Sequence, residues 1–93
     1  KLEGVYEKKT RDVRLAWETG RVPDYGPWYY CVYRKGPDDR DFKFMLATKS
    51  DEPLYNDFNT RPGETAQYYV TVQYDDGRRS KPSNIVTITA VKE

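Results

Sequence analysis

The segment DVRLAWE at residues 12–18 alternates in the manner of a half-buried β-strand. Val13, Leu15 and Trp17 occupy every second position, with Arg14 and Ala16 between them. Successive side chains of a strand point to opposite faces, so the three large apolar residues share one face. We therefore expect that face to pack in the core of a β-sheet protein.

Other segments repeat this composition, rich in Tyr, Val and Thr, between turn signals. The remaining predicted strands are residues 2–8, 28–35, 42–48, 54–58, 66–74 and 84–90. Two Gly and two Pro make residues 19–27 a loop, and Asp75-Asp76-Gly77 is a hairpin signal because glycine accepts the positive φ of a tight turn. Seven short strands predict an all-β, seven-stranded, immunoglobulin-like two-sheet sandwich.

Size and charge restrict the protein further. Ninety-three residues predict a single domain covering 1–93. The chain opens at Lys1 without a Met, so we expect it to be excised from a larger protein. A net charge of +1 gives no electrostatic footprint for nucleic acid, and no apolar run approaches the length of a membrane span.

Catalytic chemistry has few candidates in this sequence. The chain has no histidine and a single cysteine, Cys31, which excludes Ser-His or Cys-His catalysis and a thiolate or imidazole zinc site within it. The carboxylates at 38–41 and 75–76 fall on predicted turns beside arginines, where they serve turn formation and solubility; Arg40 disfavours calcium at the first group. We expect no enzyme activity, no catalytic residue, no cofactor and no metal. Cys31 is expected to pack as a small apolar residue, with a contact to a neighbouring domain as the alternative.

The aromatic residues form the one candidate binding surface. Alternation places Trp17, Tyr30 and Tyr68 in the core, and we assign Tyr74 to the outside. The candidate binding face consists of Trp28, Tyr29, Tyr33 and Tyr69. Three explanations are open: cross-strand packing without a partner, an interface with another domain, or stacking on sugar rings.

Several segments together resemble a fibronectin type III domain over nearly the whole chain. They are VRLAW at 13–17, YCVYR at 30–34, YND at 55–57 with Pro62-Gly63, YYVTV at 68–72, and Gly77, Ser80 and Pro82-Ser83-Asn84. Two positions depart from the family pattern. Thr60 stands where a leucine is usual, and Ala66 falls at the corner tyrosine, with Tyr68 two residues later.

The resemblance implies a non-catalytic structural or interaction module, a spacer or interdomain brace. The YCVYR strand is most similar to modules of secreted bacterial glycoside hydrolases, which implies an extracellular or cell-surface location. Its partners would be neighbouring domains of the parent protein, with no nucleic acid and no membrane. The alternatives are a carbohydrate-binding module for polysaccharide, using the four aromatic residues, and an adhesion or receptor domain that binds protein through loops 19–27, 36–41 and 75–80.

Overall fold

A computed structural model describes residues 1–18 and 28–92, and the predicted loop 19–27 lies outside this part. It contains seven strands in two antiparallel sheets. The strands are β1 (Leu2–Glu7), β2 (Asp12–Trp17), β3 (Trp28–Lys35), β4 (Lys43–Lys49), β5 (Leu54–Asp57), β6 (Thr65–Tyr74) and β7 (Val86–Thr89). The three-stranded sheet has the order β1-β2-β5 and the four-stranded sheet the order β4-β3-β6-β7. The predicted all-β sandwich is confirmed.

The core lies between the two sheets and follows the predicted alternation. Val13, Leu15 and Trp17 of β2 are buried against Tyr30 and Val32 of β3 and the inward residues of β6. The Trp17 ring meets Tyr30 edge-on, with centroids 5.3 Å apart. Such T-shaped contacts add to the free energy of burying large rings. The alternation in residues 12–18 thus supplies the core-facing residues of the central strand of the smaller sheet.

A buried polar network joins the two sheets near one end of the sandwich. We call Arg34, Asp57, Thr60 and Tyr68 the Arg34 network. Arg34 donates from Nε to Asp57 Oδ2 at 2.9 Å and from Nη2 to Thr60 Oγ1 at 2.9 Å. The Tyr68 hydroxyl donates to Asp57 Oδ2 at 2.6 Å. Because the Tyr68 hydroxyl proton is already donated to Asp57, Thr60 is the donor in its 3.1 Å hydrogen bond to the Tyr68 oxygen. The four side chains therefore form a closed ring of hydrogen bonds.

The Arg34 network explains both departures from the family pattern. Thr60 is almost fully buried, and its hydroxyl fills the leucine position because Arg34 and Tyr68 require a polar partner there. Tyr68 reaches back to residues 57 and 60, but its hydroxyl bonds side chains there, whereas a tyrosine corner bonds the backbone. Burial and the hydrogen bond to the Asp57 carboxylate raise the pKa of Tyr68 to about 12.

Side chains continue the pairing with β6 before β7, which runs from Val86 to Thr89 and is shorter than predicted. The hydroxyls of Ser80 and Ser83 accept hydrogen bonds from the amides of Val72 and Val70, at 2.8 and 2.9 Å. Pro82 lies between the two serines and has no amide proton to give a ladder. The serines therefore keep the amides of β6 satisfied where the backbone alone cannot.

Asn84 joins the edges of the two sheets. Its side chain accepts from the Leu2 amide at 2.8 Å and donates to the Leu2 carbonyl at 2.9 Å. Gly4 lies so close to the core that a Cβ there would come within 2.9 Å of Leu15 and 3.1 Å of Ile88. The β1 and β7 sides of the sandwich are therefore held together. On the opposite side, β4 and β5 line an open groove of about 470 Å³.

The two ends of the chain leave the sandwich at opposite poles. Leu2 lies beside Asn84, which precedes β7. At the other end of β7, Ala90 exchanges hydrogen bonds of 2.8 Å with Gly63 and Glu64 in the turn before β6. Residues 84 to 90 span about 20 Å at the rise of an extended strand. The positions where β1 begins and β7 ends are thus about 20 Å apart, the span of this extended segment.

Candidate functional site

The outer face of the four-stranded sheet, the side away from the core, carries a cluster of aromatic rings. Tyr33 of β3 lies directly opposite Tyr69 of β6 in the antiparallel register. Their rings stack with centroids 4.7 Å apart and planes 12° from parallel. Directly opposed residues of neighbouring strands project from the same side of a sheet, so the two rings stand next to each other on this face. The predicted pairing of Tyr33 and Tyr69 on one face is confirmed.

Two phenylalanines from the β3–β4 region complete this cluster. Phe44 meets Tyr33 at a centroid distance of 5.8 Å and an interplanar angle of 72°. Phe42 meets Tyr69 at 4.8 Å and 63°. We call Tyr33, Phe42, Phe44 and Tyr69 the ring cluster. Phe44 remains 56% exposed, so the cluster presents apolar surface to solvent.

A bulge in the pairing of β3 with β4 places Phe44 in the cluster. The register is Val32 with Leu46 and then Tyr33 with Phe44, so Met45 is an extra residue. A bulge shifts the alternation of the strand by one position. Simple alternation along residues 42–48 contains no sign of this bulge, so the sequence alone did not place either phenylalanine on the outer face.

The arrangement of the rings restricts what they can contact. Tyr33 and Tyr69 cover one face of each other, and the two phenylalanines meet them at steep angles. Two neighbouring rings that stack in this way stand up from the sheet and direct their edges outward. A flat platform for a sugar ring needs exposed ring faces side by side, which is a different arrangement.

Trp28 does not lie with the other residues of the predicted binding face. It is two residues from Tyr30, shares the inward side of β3, and meets the Tyr30 ring edge-on at 5.2 Å. The prediction that Trp28 faces outward is wrong. The same correction applies to Tyr74, which is two residues beyond Val72 and is buried in the core. Parity along each strand, applied to the first residue of β3 and the last residue of β6, would have placed both correctly.

Tyr29 and Cys31 lie on the outer face as predicted, but beside the ring cluster. Tyr29 pairs with Gln73 and Lys49, and Cys31 lies between it and Tyr33. Cys31 is 3% exposed and faces Thr71 across the sheet. Burial raises the pKa of the Cys31 thiol, which keeps it protonated and unreactive at neutral pH. This agrees with its expected role as a small packed residue.

The turn carboxylates are engaged locally. Asp39 accepts from the Gly36 amide at 2.9 Å and pairs with Lys43, and these contacts lower the pKa of Asp39. Asp76 accepts from Arg78 Nε at 2.7 Å, which lowers the pKa of Asp76. Across residues 1–18 and 28–92, no group of three metal-ligating side chains is assembled. The described residues also include no helix with the length and apolarity of a membrane span.

Comparison with known proteins identifies the fold. No protein-family model matches the sequence, and no curated protein matches it significantly. Among solved structures, an Fn3-like protein from Clostridium thermocellum matches all of this chain and 91% of its own, with a TM-score of 0.74 and 17% identity. The chain has a fibronectin type III-like fold.

A second solved structure shows this fold within a larger chain. The β-1,2-glucanase from Parabacteroides distasonis matches 88% of the Fn3-like domain with a TM-score of 0.70 and 23% identity. The match covers only 11% of the glucanase chain. At these identities the likeness shows the shared fold alone.

Proposed function

We propose that this Fn3-like domain is a non-catalytic spacer and brace within a larger, extracellular protein. The observation that carries the proposal is the position of the chain ends. Leu2 lies at one pole beside Asn84, and Ala90 lies at the other beside Gly63. A module with this geometry adds its own length between the segments it connects. A module whose ends met at one pole would instead hang to the side of the chain.

The ring cluster supports the bracing part of the proposal. Tyr and Phe are enriched in the cores of protein interfaces, and an exposed group of them marks a contact surface more often than a scattered apolar residue does. Phe44 offers its ring to a partner from the edge strand β4. A neighbouring domain that packs on this surface would be held in a fixed orientation.

The likeness to the glucanase supports a parent protein that acts on carbohydrate. In that enzyme the matching region is 11% of the chain, so the shared fold is a small part of a larger protein. Carbohydrate binding by the Fn3-like domain itself remains a prediction from the sequence, as does an adhesive role for its loops. The outward-directed ring edges favour contact with side chains over stacking on sugars.

The test is to replace residues 1–93 of the parent protein with a flexible Gly-Ser linker. We expect the distance between the flanking domains, measured by small-angle scattering, to become shorter and more variable, because a flexible linker lacks a fixed span. We also expect the flanking domain to melt at a lower temperature, because a bound neighbour stabilises it by linkage.

A point substitution separates the brace from the spacer. Phe44→Ser should lower the melting temperature of the flanking domain as the linker replacement does. The distance between the flanking domains should stay unchanged. The control is Val5→Ser on the other sheet, since the exposure of Val5, 61%, is similar to that of Phe44. Unchanged spacing and unchanged melting after the linker replacement would refute the proposal.

A further inference from the structure

The four-stranded sheet has an unusual charge composition. Its strands β3, β4, β6 and β7 contain no Asp and no Glu, although the chain as a whole has 15 acidic and 16 basic residues. By contrast, the three-stranded sheet carries Glu3 and Glu7 on β1, besides the buried Asp12 and Asp57. The near-neutral total therefore conceals an asymmetry between the two sides of the sandwich.

Basic side chains flank the ring cluster on the outer face of these four strands. Lys35 is two residues beyond Tyr33 on the same side of β3 and pairs with Gln67. Lys49 lies toward the other end, opposite Tyr29. Arg79 pairs with Gln73 and donates from Nη1 to the Tyr33 hydroxyl at 3.4 Å. The paired outward positions of this sheet thus present a centre of rings with three cations around it.

This arrangement specifies the chemistry of a partner. Apolar rings at the centre of a contact gain free energy from losing water, and charges around them select partners of opposite sign. No carboxylate in the four strands neutralises Lys35, Lys49 or Arg79 within the face. A complementary surface would therefore be apolar at its centre and bordered by Asp or Glu.

We propose that the outer face of the four-stranded sheet docks onto an apolar, acid-rimmed surface of a neighbouring protein domain. The inference rests on the proposed function and adds the chemical character of the partner. A protein surface is favoured over an acidic polysaccharide because the stacked Tyr33 and Tyr69 rings present edges. Ring edges pack against side chains, whereas sugar binding uses ring faces.

The experiment is an NMR titration of the ¹⁵N-labelled domain with the parent chain that lacks residues 1–93. We expect shifts at Tyr33, Phe44 and Tyr69 and at the three flanking cations. The dissociation constant should rise about 10-fold or more from about 50 mM to about 500 mM NaCl, because salt screens exposed charge pairs. Polygalacturonate serves as a second, separate probe for an acidic polysaccharide.

Two triple variants isolate the contribution of charge. Lys35→Gln, Lys49→Gln and Arg79→Gln together should weaken binding about 10-fold and abolish most of the salt dependence. The control, Lys8→Gln, Lys9→Gln and Arg61→Gln, removes the same charge from exposed turns and should leave the affinity unchanged. Far-ultraviolet circular dichroism checks that both variants keep the fold.

The outcomes separate this inference from the proposed function. Binding at the rings that is insensitive to salt and to the first triple variant would overturn the acidic partner and leave the brace intact. Shifts with polygalacturonate alone would overturn it in favour of polysaccharide. Absence of any shift with either probe would overturn both the inference and the bracing role.

Discussion

The Tyr68 hydroxyl donates a 2.6 Å hydrogen bond to Asp57 and accepts one from Thr60, so one side chain of β6 is tied to both ends of the β5–β6 corner. Asp57 is fully buried and also accepts from the amide and side chain of Asn59 and from Arg34. A buried charge is tolerated when it is paired and its oxygens are satisfied. The two sheets are thus joined by polar contacts as well as by the apolar core.

Removal of the Tyr68 hydroxyl should destabilise the domain although the ring stays. In Tyr68→Phe, Asp57 loses a donor and the Thr60 hydroxyl loses its acceptor inside the protein. An unsatisfied buried polar group costs about 1–3 kcal/mol, and we expect a loss of unfolding free energy in that range. Urea denaturation measures it. Tyr69→Phe, on the outer face, is the control and should change stability by less than about 0.5 kcal/mol. Equal effects of the two substitutions would contradict the role of the network.

Alkaline pH should remove the same contribution. The pKa of Tyr68 is raised from 10.0 to about 12 in the folded state. A raised pKa means that the folded state favours the protonated hydroxyl. The contribution of this hydroxyl to the free energy of unfolding is therefore complete below about pH 10 and is lost as the pH rises toward about 12. The loss should be on the order of 2 kcal/mol. Denaturation at pH 9 to 12 in steps of about one unit measures it, and the difference between the native chain and Tyr68→Phe should shrink across that window. A constant difference would contradict the assignment.

Loss of the Asn84 side chain should release the first strand. Asn84→Ala removes both hydrogen bonds to the Leu2 backbone, each worth about 0.5–1.5 kcal/mol. We expect faster amide hydrogen exchange at Leu2 and along β1, with little change in β3 and β6. Asn56→Ala, on exposed β5, is the matched control. Unchanged protection of the Leu2 amide would show that this pair is dispensable.

Gly77 should be replaceable by asparagine but not by alanine. Its φ is +92°, and a Cβ there would meet nothing within 4 Å, so the penalty is conformational and not steric. The left-handed region costs about 1–2 kcal/mol for an ordinary residue and less for Asn. We expect Gly77→Ala to lower the thermal midpoint and Gly77→Asn to recover part of that loss. Calorimetry of both variants tests the order.

Much of the fold could be predicted because alternation is a local property of the chain. Strand β2 has one face in the core and one in solvent, and its alternate residues Val13, Leu15 and Trp17 are the ones that face the core. The Arg34 network could not be found in this way. The contacts of Arg34 with Asp57 and Thr60 form only when the two sheets pack against each other. No local sequence pattern predicts such long-range pairs. Alternation along β3 did predict that Arg34 faces inward, since it follows Tyr30 and Val32 at every second position. An inward arginine indicates a buried polar partner, but alternation does not say which one.

The candidate site was predicted in part for the same reason. Tyr33 and Tyr69 meet because β3 and β6 are neighbours with regular alternation. Phe44 depends on a bulge after Val32, and a bulge is a property of paired strands and not of one sequence segment. Trp28 was misplaced because it is the first residue of β3, where the periodicity of the segment is weakest.

The Asn84–Leu2 pair also has a mechanical consequence. β1 and β7 run side by side in the same direction, and tension on the chain would pull β1 toward one pole and β7 toward the other. The force then shears β1 along β7 and loads all the contacts between them at the same time. These contacts must rupture together, instead of opening one after another. Forced unfolding is governed by the unfolding rate. We predict that single-molecule stretching finds one sharp rupture event, at lower force in Asn84→Ala than in Asn56→Ala. Equal forces would refute this prediction. A domain of this design acts as a tether that holds its length up to a threshold and then yields at once.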